Sequence, residues 1–170
     1  MVTLGAGAWR GAISKGEQAR EIAAGKTLIS AYLSNAAEND GQLMVAHYEG
    51  RSPEIDGQEV TLPDGTRLTG GSLHRYPYRL SPYFDYKIDG VILINENKKQ
   101  VSKAFAGSMR EYGTSLCPAF GINYYFVGGY KVDNQFSAEQ LQETAIRTVQ
   151  VPSRRRCSFL PQPLPRMWKE

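Results

Sequence analysis

The feature that most constrains this 170-residue chain is a helix-period segment running from Glu17 to Asn39. Ile22, Gly25, Ile29, Leu33 and Ala36 recur at spacings of three, four and seven, with Tyr32 beside them. That rhythm places them on one stripe of an α-helix. Ser14 or Gly16 precedes the first turn, and Glu17 and Glu21 complement the positive end of the helix dipole. Lys26 is the lone charge near the stripe, and its stem is long enough to reach solvent. Asn39-Asp40-Gly41 predicts the stop, because glycine accepts the left-handed cap conformation. A single amphipathic helix of this length needs a second layer to cover its apolar side. Ile22, Ile29 and Leu33 are expected to face that layer. An aspartate at Ile29 is then expected to cost several kcal/mol, because it buries a charge (about 3–5).

The remainder of the chain predicts mixed α/β structure. Leu43–Tyr48 reads as a short strand or extended loop. Val60-Thr61-Leu62 and Arg67-Leu68-Thr69 flank Pro-Asp-Gly-Thr and read as a hairpin. Leu73–Tyr83 is aromatic and proline-punctuated, with room for a short helical turn at Arg79-Leu80-Ser81. Gly90–Asn95 is a β-branched run that predicts a buried strand, and Ile122–Val127 predicts another. Residues 96–112 suit a short helix or a loop. Ser137-Ala-Glu-Gln140 has capping-box spacing and predicts a helix to about Ile146. No run of about 18 apolar residues is present, and apolar and charged shares of 41% and 22% suit an ordinary globular chain.

Charge is uneven. Residues 147–170 carry six basic residues against one acid, whereas the rest carries 14 basic and 16 acidic residues. Such a tail reads as a solvated terminus, with an anionic surface as the rival partner. No zinc-finger spacing and no aromatic-basic RNA motif occur, so nucleic acid is not an expected partner. Cys117 and Cys157 are distant in sequence and read either as two thiols or as one bridge. His47 and His74 lack a G-x-S-x-G elbow to supply a nucleophile, so a structural role is expected and catalysis is not. Asp85 and Asp89 are too few to specify calcium, which takes six to eight oxygens. Gly70-Gly71 and Gly128-Gly129 read as turns rather than phosphate loops. No catalytic residue, metal site or cofactor is expected. Ten tyrosines leave open a binding surface, with Tyr76, Tyr78, Tyr83 and Tyr86 as its candidates.

The stretch Ala19–Gly41, with its Ala-Ala-Glu-Asn-Asp-Gly end, resembles the segment after the membrane helix in prepilin-like proteins of type II secretion and type IV pilus systems. It is most like the divergent pseudopilin-like proteins of Verrucomicrobia and Planctomycetes. Arg75-Tyr-Pro-Tyr-Arg-Leu-Ser-Pro-Tyr83, Ile92-Leu-Ile-Asn-Glu96, Pro118-Ala-Phe-Gly-Ile-Asn123 and Phe126-Val-Gly-Gly129 resemble later blocks of the same family, in the same order. The family's cleavage site and apolar helix are absent from the sequence, and residues 1–16 read as a lead-in left from that helix. The Arg154-Arg155-Arg156 and proline-rich end departs from the family pattern.

The resemblance implies an α+β, pilin-like domain over residues 17–150, with the N-terminal helix packed on an antiparallel β-sheet. Residues 151–170 would form an irregular basic tail. It implies a structural pseudopilin or minor pilin-like subunit, not an enzyme. Its partners would be other pilin-like subunits and secretion machinery, and without the apolar half of its helix the chain would be a monomer or weak oligomer. It would lie in the periplasm or cell envelope, anchored to the inner membrane through a helix missing here. On that reading Ile22, Ile29 and Leu33 form the helix packing or assembly face. The rival reading is a cell-envelope module that binds carbohydrate or protein through its tyrosines.

Overall fold

A computed structural model describes residues 3–137 and 144–148 of the chain. Helix α1 runs from Thr3 to Glu38, about 54 Å at 1.5 Å per residue. It therefore passes without a break through the expected lead-in. Its end lies where the sequence placed it. Asp40 and Gly41 take positive φ (52° and 78°), and the Gly41 N–H closes on the Ala36 carbonyl at 2.8 Å.

Strand β1 (His47–Glu49) follows, then the hairpin β2 (Val60–Thr61) and β3 (Arg67–Leu68), which pair antiparallel as expected. A 3-10 turn at Gly70–Ser72 leads to α2 (Tyr76–Leu80), continued by a 3-10 turn over Ser81–Phe84. The proline-punctuated block is thus helical along most of its length, with Pro77 and Pro82 in first-turn positions where a missing N–H costs nothing. The single-turn element α3 (Ile88–Val91) is interrupted at Gly90, where φ is 96°. α4 (Asn95–Ala104), α5 (Arg110–Leu116) and β4 (Tyr130–Val132) complete the order. β1 and β4 pair in parallel, His47 opposite Tyr130 and Glu49 opposite Val132.

The class is α+β, but the β layer differs from expectation. Among the described residues there are two sheets, each two-stranded. The antiparallel sheet expected beneath the helix is not what α1 lies on. Its neighbours are α2, the Ser81–Phe84 turn and α3. The run Gly90–Asn95 is not a strand. Its backbone folds on itself through Ile92 N–H to Ile88 O (2.9 Å) and Gly90 N–H to Leu93 O (2.8 Å). Ile92, Leu93 and Ile94 are buried all the same. A short continuous apolar run reports burial, not backbone type. The second expected strand, Ile122–Val127, is also a chain of turns closed by Asn123 O. The helix expected from Ser137 falls largely outside the described residues.

Two apolar clusters make the core. One joins Leu28 and Ala31 of α1 to Tyr76, Leu80, Phe84, Ile92, Leu93 and Val101. The other joins Val45, Tyr48, Ile55, Leu68, Leu73 and Tyr78. α2 stands between them and sends Tyr76 and Leu80 to the first and Tyr78 to the second. Close approach is bought by glycine at Gly113, where any Cβ would overlap the Phe105 ring that pins α4 to α5.

Candidate interaction surface

The helix α1 carries two apolar faces, and the body covers the one with smaller residues. Ala24, Leu28 and Ala31 are buried, at 180–240° on a wheel with Ile22 at 0° (about 100° per residue). Ile22, Ile29 and Leu33 are 52%, 57% and 53% exposed. The expectation that these three pack on the body is therefore corrected. The reason is steric. Tyr76, Phe84 and the Phe120 ring crowd the seat, and alanine lets the helix axis come close to them. From Ile13 to Ala23 every residue is exposed, although Asn95 of the body meets this stretch at Glu17 and Glu21.

The four candidate tyrosines do not form one surface. Tyr76 and Tyr78 are buried, and the Tyr76 hydroxyl donates to the Phe120 carbonyl. Tyr78, desolvated by burial, is pushed up to about 12. Tyr83 is half-buried; its hydroxyl donates to Glu38 Oε2 (2.6 Å) and accepts from Asn35 Nδ2 (3.2 Å), tying α1 to the turn after α2. The Glu38 carboxylate, which holds the phenol proton, raises its pKa. Tyr86 is half-buried at φ 56°. Exposed aromatic area lies elsewhere, at Tyr124, Tyr125 and Phe126. Their strand-like composition hid it in the sequence.

The polar centre of the molecule is Arg79, inside the tyrosine-proline block. Nη2 donates to the carbonyls of Val45 (2.6 Å) and Ala46 (3.3 Å), and the guanidinium lies 5.0 Å from the Tyr48 ring centroid. Desolvation lowers its pKa to about 10, which leaves it charged at neutrality. Lys131 is 9% exposed and holds Glu54 Oε1 at 2.6 Å, while Tyr48 donates to Glu54 Oε2 at 2.9 Å. Burial alone would raise the Glu54 carboxyl, but these two bonds outweigh it and hold the pKa below its ordinary value. A depressed carboxylate stabilises the fold above its unfolded pKa (about 4.3) and loses that contribution as pH falls through the folded value. Glu54→Gln is expected to lower the melting temperature at neutral pH and to flatten its fall below about pH 4. Melting curves across that range check this, and an unchanged acid slope would refute the role of Glu54.

His74 Nε2 lies 3.2 Å from Asp56 Oδ1, and the other oxygen of Asp56 accepts from Ser52 N–H. His47 stacks on Tyr130 and is pushed below its ordinary pKa by desolvation and by Arg75. Neither histidine hydrogen-bonds a serine, threonine or cysteine side chain among the described residues. Asp85 pairs with Lys87 and Asp89 with Lys98, each through an ordinary ion pair. Between α1 and α4 lies a groove of about 390 Å³ walled by Glu17, Glu21, Glu96 and Phe120. Asn95, at φ 49°, crosses it to reach Glu21 Oε1 (2.9 Å) and Glu17 O (3.2 Å). Among the described residues no three metal-ligating side chains converge, and no helix is long and apolar enough to cross a membrane. Cys117 is exposed, and its partner in the bridging alternative, Cys157, lies outside the described residues. Comparison with family models, curated proteins and solved structures gives no match.

Proposed function

We propose that the chain is a structural subunit of a pilin-like assembly, of the type II secretion or type IV pilus kind, in the cell envelope. The observation that carries this reading is the free face of α1. A 36-residue helix leaves the body and presents Ile22, Ile29 and Leu33 within about 40° of arc. Exposed Ala19, Ala23 and Ser30 line the flank of that face. Small flanking residues allow a second helix to approach to 8–10 Å, the ordinary packing distance. An aspartate in the face removes apolar contact area from every subunit junction at once. The block resemblance along residues 17–130 supports the same reading. On it, the partners are further subunits and secretion machinery, and no cofactor or catalytic residue is needed.

The test uses the cells that make the protein. A photocrosslinking residue at position 29 is expected to give a ladder at multiples of the chain mass, and Ile22→Asp in the same chain to abolish it while the fold persists. Crosslinks confined to unrelated proteins, or none, would overturn the assignment.

A further inference from the structure

The free face of α1 is also charged in an ordered way. Lys15 and Lys26 sit on the same arc as Ile22, Ile29 and Leu33, within about 60° in all. Both lysines are exposed, and so is Asp40 in the turn just past the helix. If two copies lay parallel and in register, Lys15 would face Lys15 and Lys26 would face Lys26. Like charges so placed repel.

Reversing one copy changes every pairing. With the two-fold axis midway between Thr27 and Leu28, Ile22 meets Leu33 of the second copy and Lys15 meets Asp40. Lys26 meets Ile29, where its aliphatic stem packs and its ammonium reaches water. In this one register apolar Ile22 meets apolar Leu33 and cationic Lys15 meets anionic Asp40, as a self-complementary two-fold interface requires. The bodies fall on opposite outer sides, because each covers the far face of its own helix. The exposed stretch Ile13–Ala23 of each copy then runs alongside the seated half of the other.

We infer that the chain forms an antiparallel two-fold dimer through this face, with a second copy of itself as the occupant. The inference shares the face with the assembly reading but does not rest on it. The two arrangements exclude each other, so the dimer is a closed form in which the face is withheld from other partners.

The register gives the test. In the full chain carrying Cys117→Ser and Cys157→Ser, Ile22→Cys and Leu33→Cys variants are mixed and oxidised. Disulfide dimers are expected from the mixture and not from either variant alone. Dimers from Ile22→Cys alone would mean parallel pairing and overturn the inference. So would absence of dimer in all three samples. Sedimentation of the cysteine-free chain is expected to show a dimer that weakens with added salt, and Lys15→Glu, which sets a carboxylate against Asp40, to lower its fraction and reverse the salt dependence. A dimer indifferent to Lys15→Glu would overturn the register. A filament crosslinked in cells, with no antiparallel disulfide in solution, sinks this inference alone.

Discussion

Leu28→Asp is expected to leave no cooperative unfolding transition at 37 °C, while Ile29→Asp, one residue along, melts close to the wild type. Leu28 is 8% exposed and sits in the cluster with Tyr76, Leu80, Phe84, Ile92 and Leu93. Every member of that cluster is an apolar or aromatic side chain. An uncompensated buried charge costs about 3–5 kcal/mol, to which the lost leucine packing adds about 2–5. That total approaches the whole stability of a typical domain, about 5–15 kcal/mol. Ile29 faces solvent, where an exposed substitution usually falls within about 0.5 kcal/mol and aspartate adds a similar helix-propensity cost. Urea titrations of both variants decide the matter. Equal destabilisation at the two positions would show that α1 is rotated from the seat described above.

The second large effect is expected at Gly128. Its φ is 74°, and a Cβ there would overlap the Met44 carbonyl oxygen and the Tyr32 hydroxyl. Those two atoms are themselves joined by a 2.8 Å hydrogen bond that fastens α1 to the segment before β1. Gly128→Ala therefore combines left-handed strain of about 1–2 kcal/mol, overpacking of about 1–3, and loss of a partly buried hydrogen bond of about 1. We expect roughly 3–6 kcal/mol in all. Gly65 supplies the control, since its φ is 85° and nothing lies near its missing Cβ. Gly65→Ala should show the strain alone, about 1–2 kcal/mol. Equal losses at the two glycines would mean that the contact to Met44 and Tyr32 is not tight.

Much of the local structure was legible in the sequence. The helix stop at Asn39-Asp40-Gly41 and the hairpin around Pro63-Asp64-Gly65 follow from turn chemistry, which is local and needs no knowledge of neighbours. The face of α1 was not legible, because bulk is a poor guide when both sides of a helix are apolar. Ile22, Ile29 and Leu33 are the larger residues, yet alanines form the seat, since aromatic rings on the other side take up the volume. Gly90–Asn95 misled for a different reason. Its residues are buried as a strand would be, but strandness needs a partner that no single segment can reveal. The tyrosine surface failed because tyrosine serves equally as core and as platform; Tyr76 and Tyr78 fill the interior. Arg79 was visible only as a charge in an aromatic block, and its carbonyl partners, more than thirty residues away, were not.

The apolar seat of α1 runs from Ala24 to Ala36 and Asn95 holds the helix as far out as Glu17, whereas Thr3 lies a further 14 residues out, about 21 Å at 1.5 Å per residue. The helix is thus a lever whose fulcrum is Leu28. A tilt of the rod that shifts ring packing at the fulcrum by a fraction of an ångström sweeps its far tip through a several-fold larger arc.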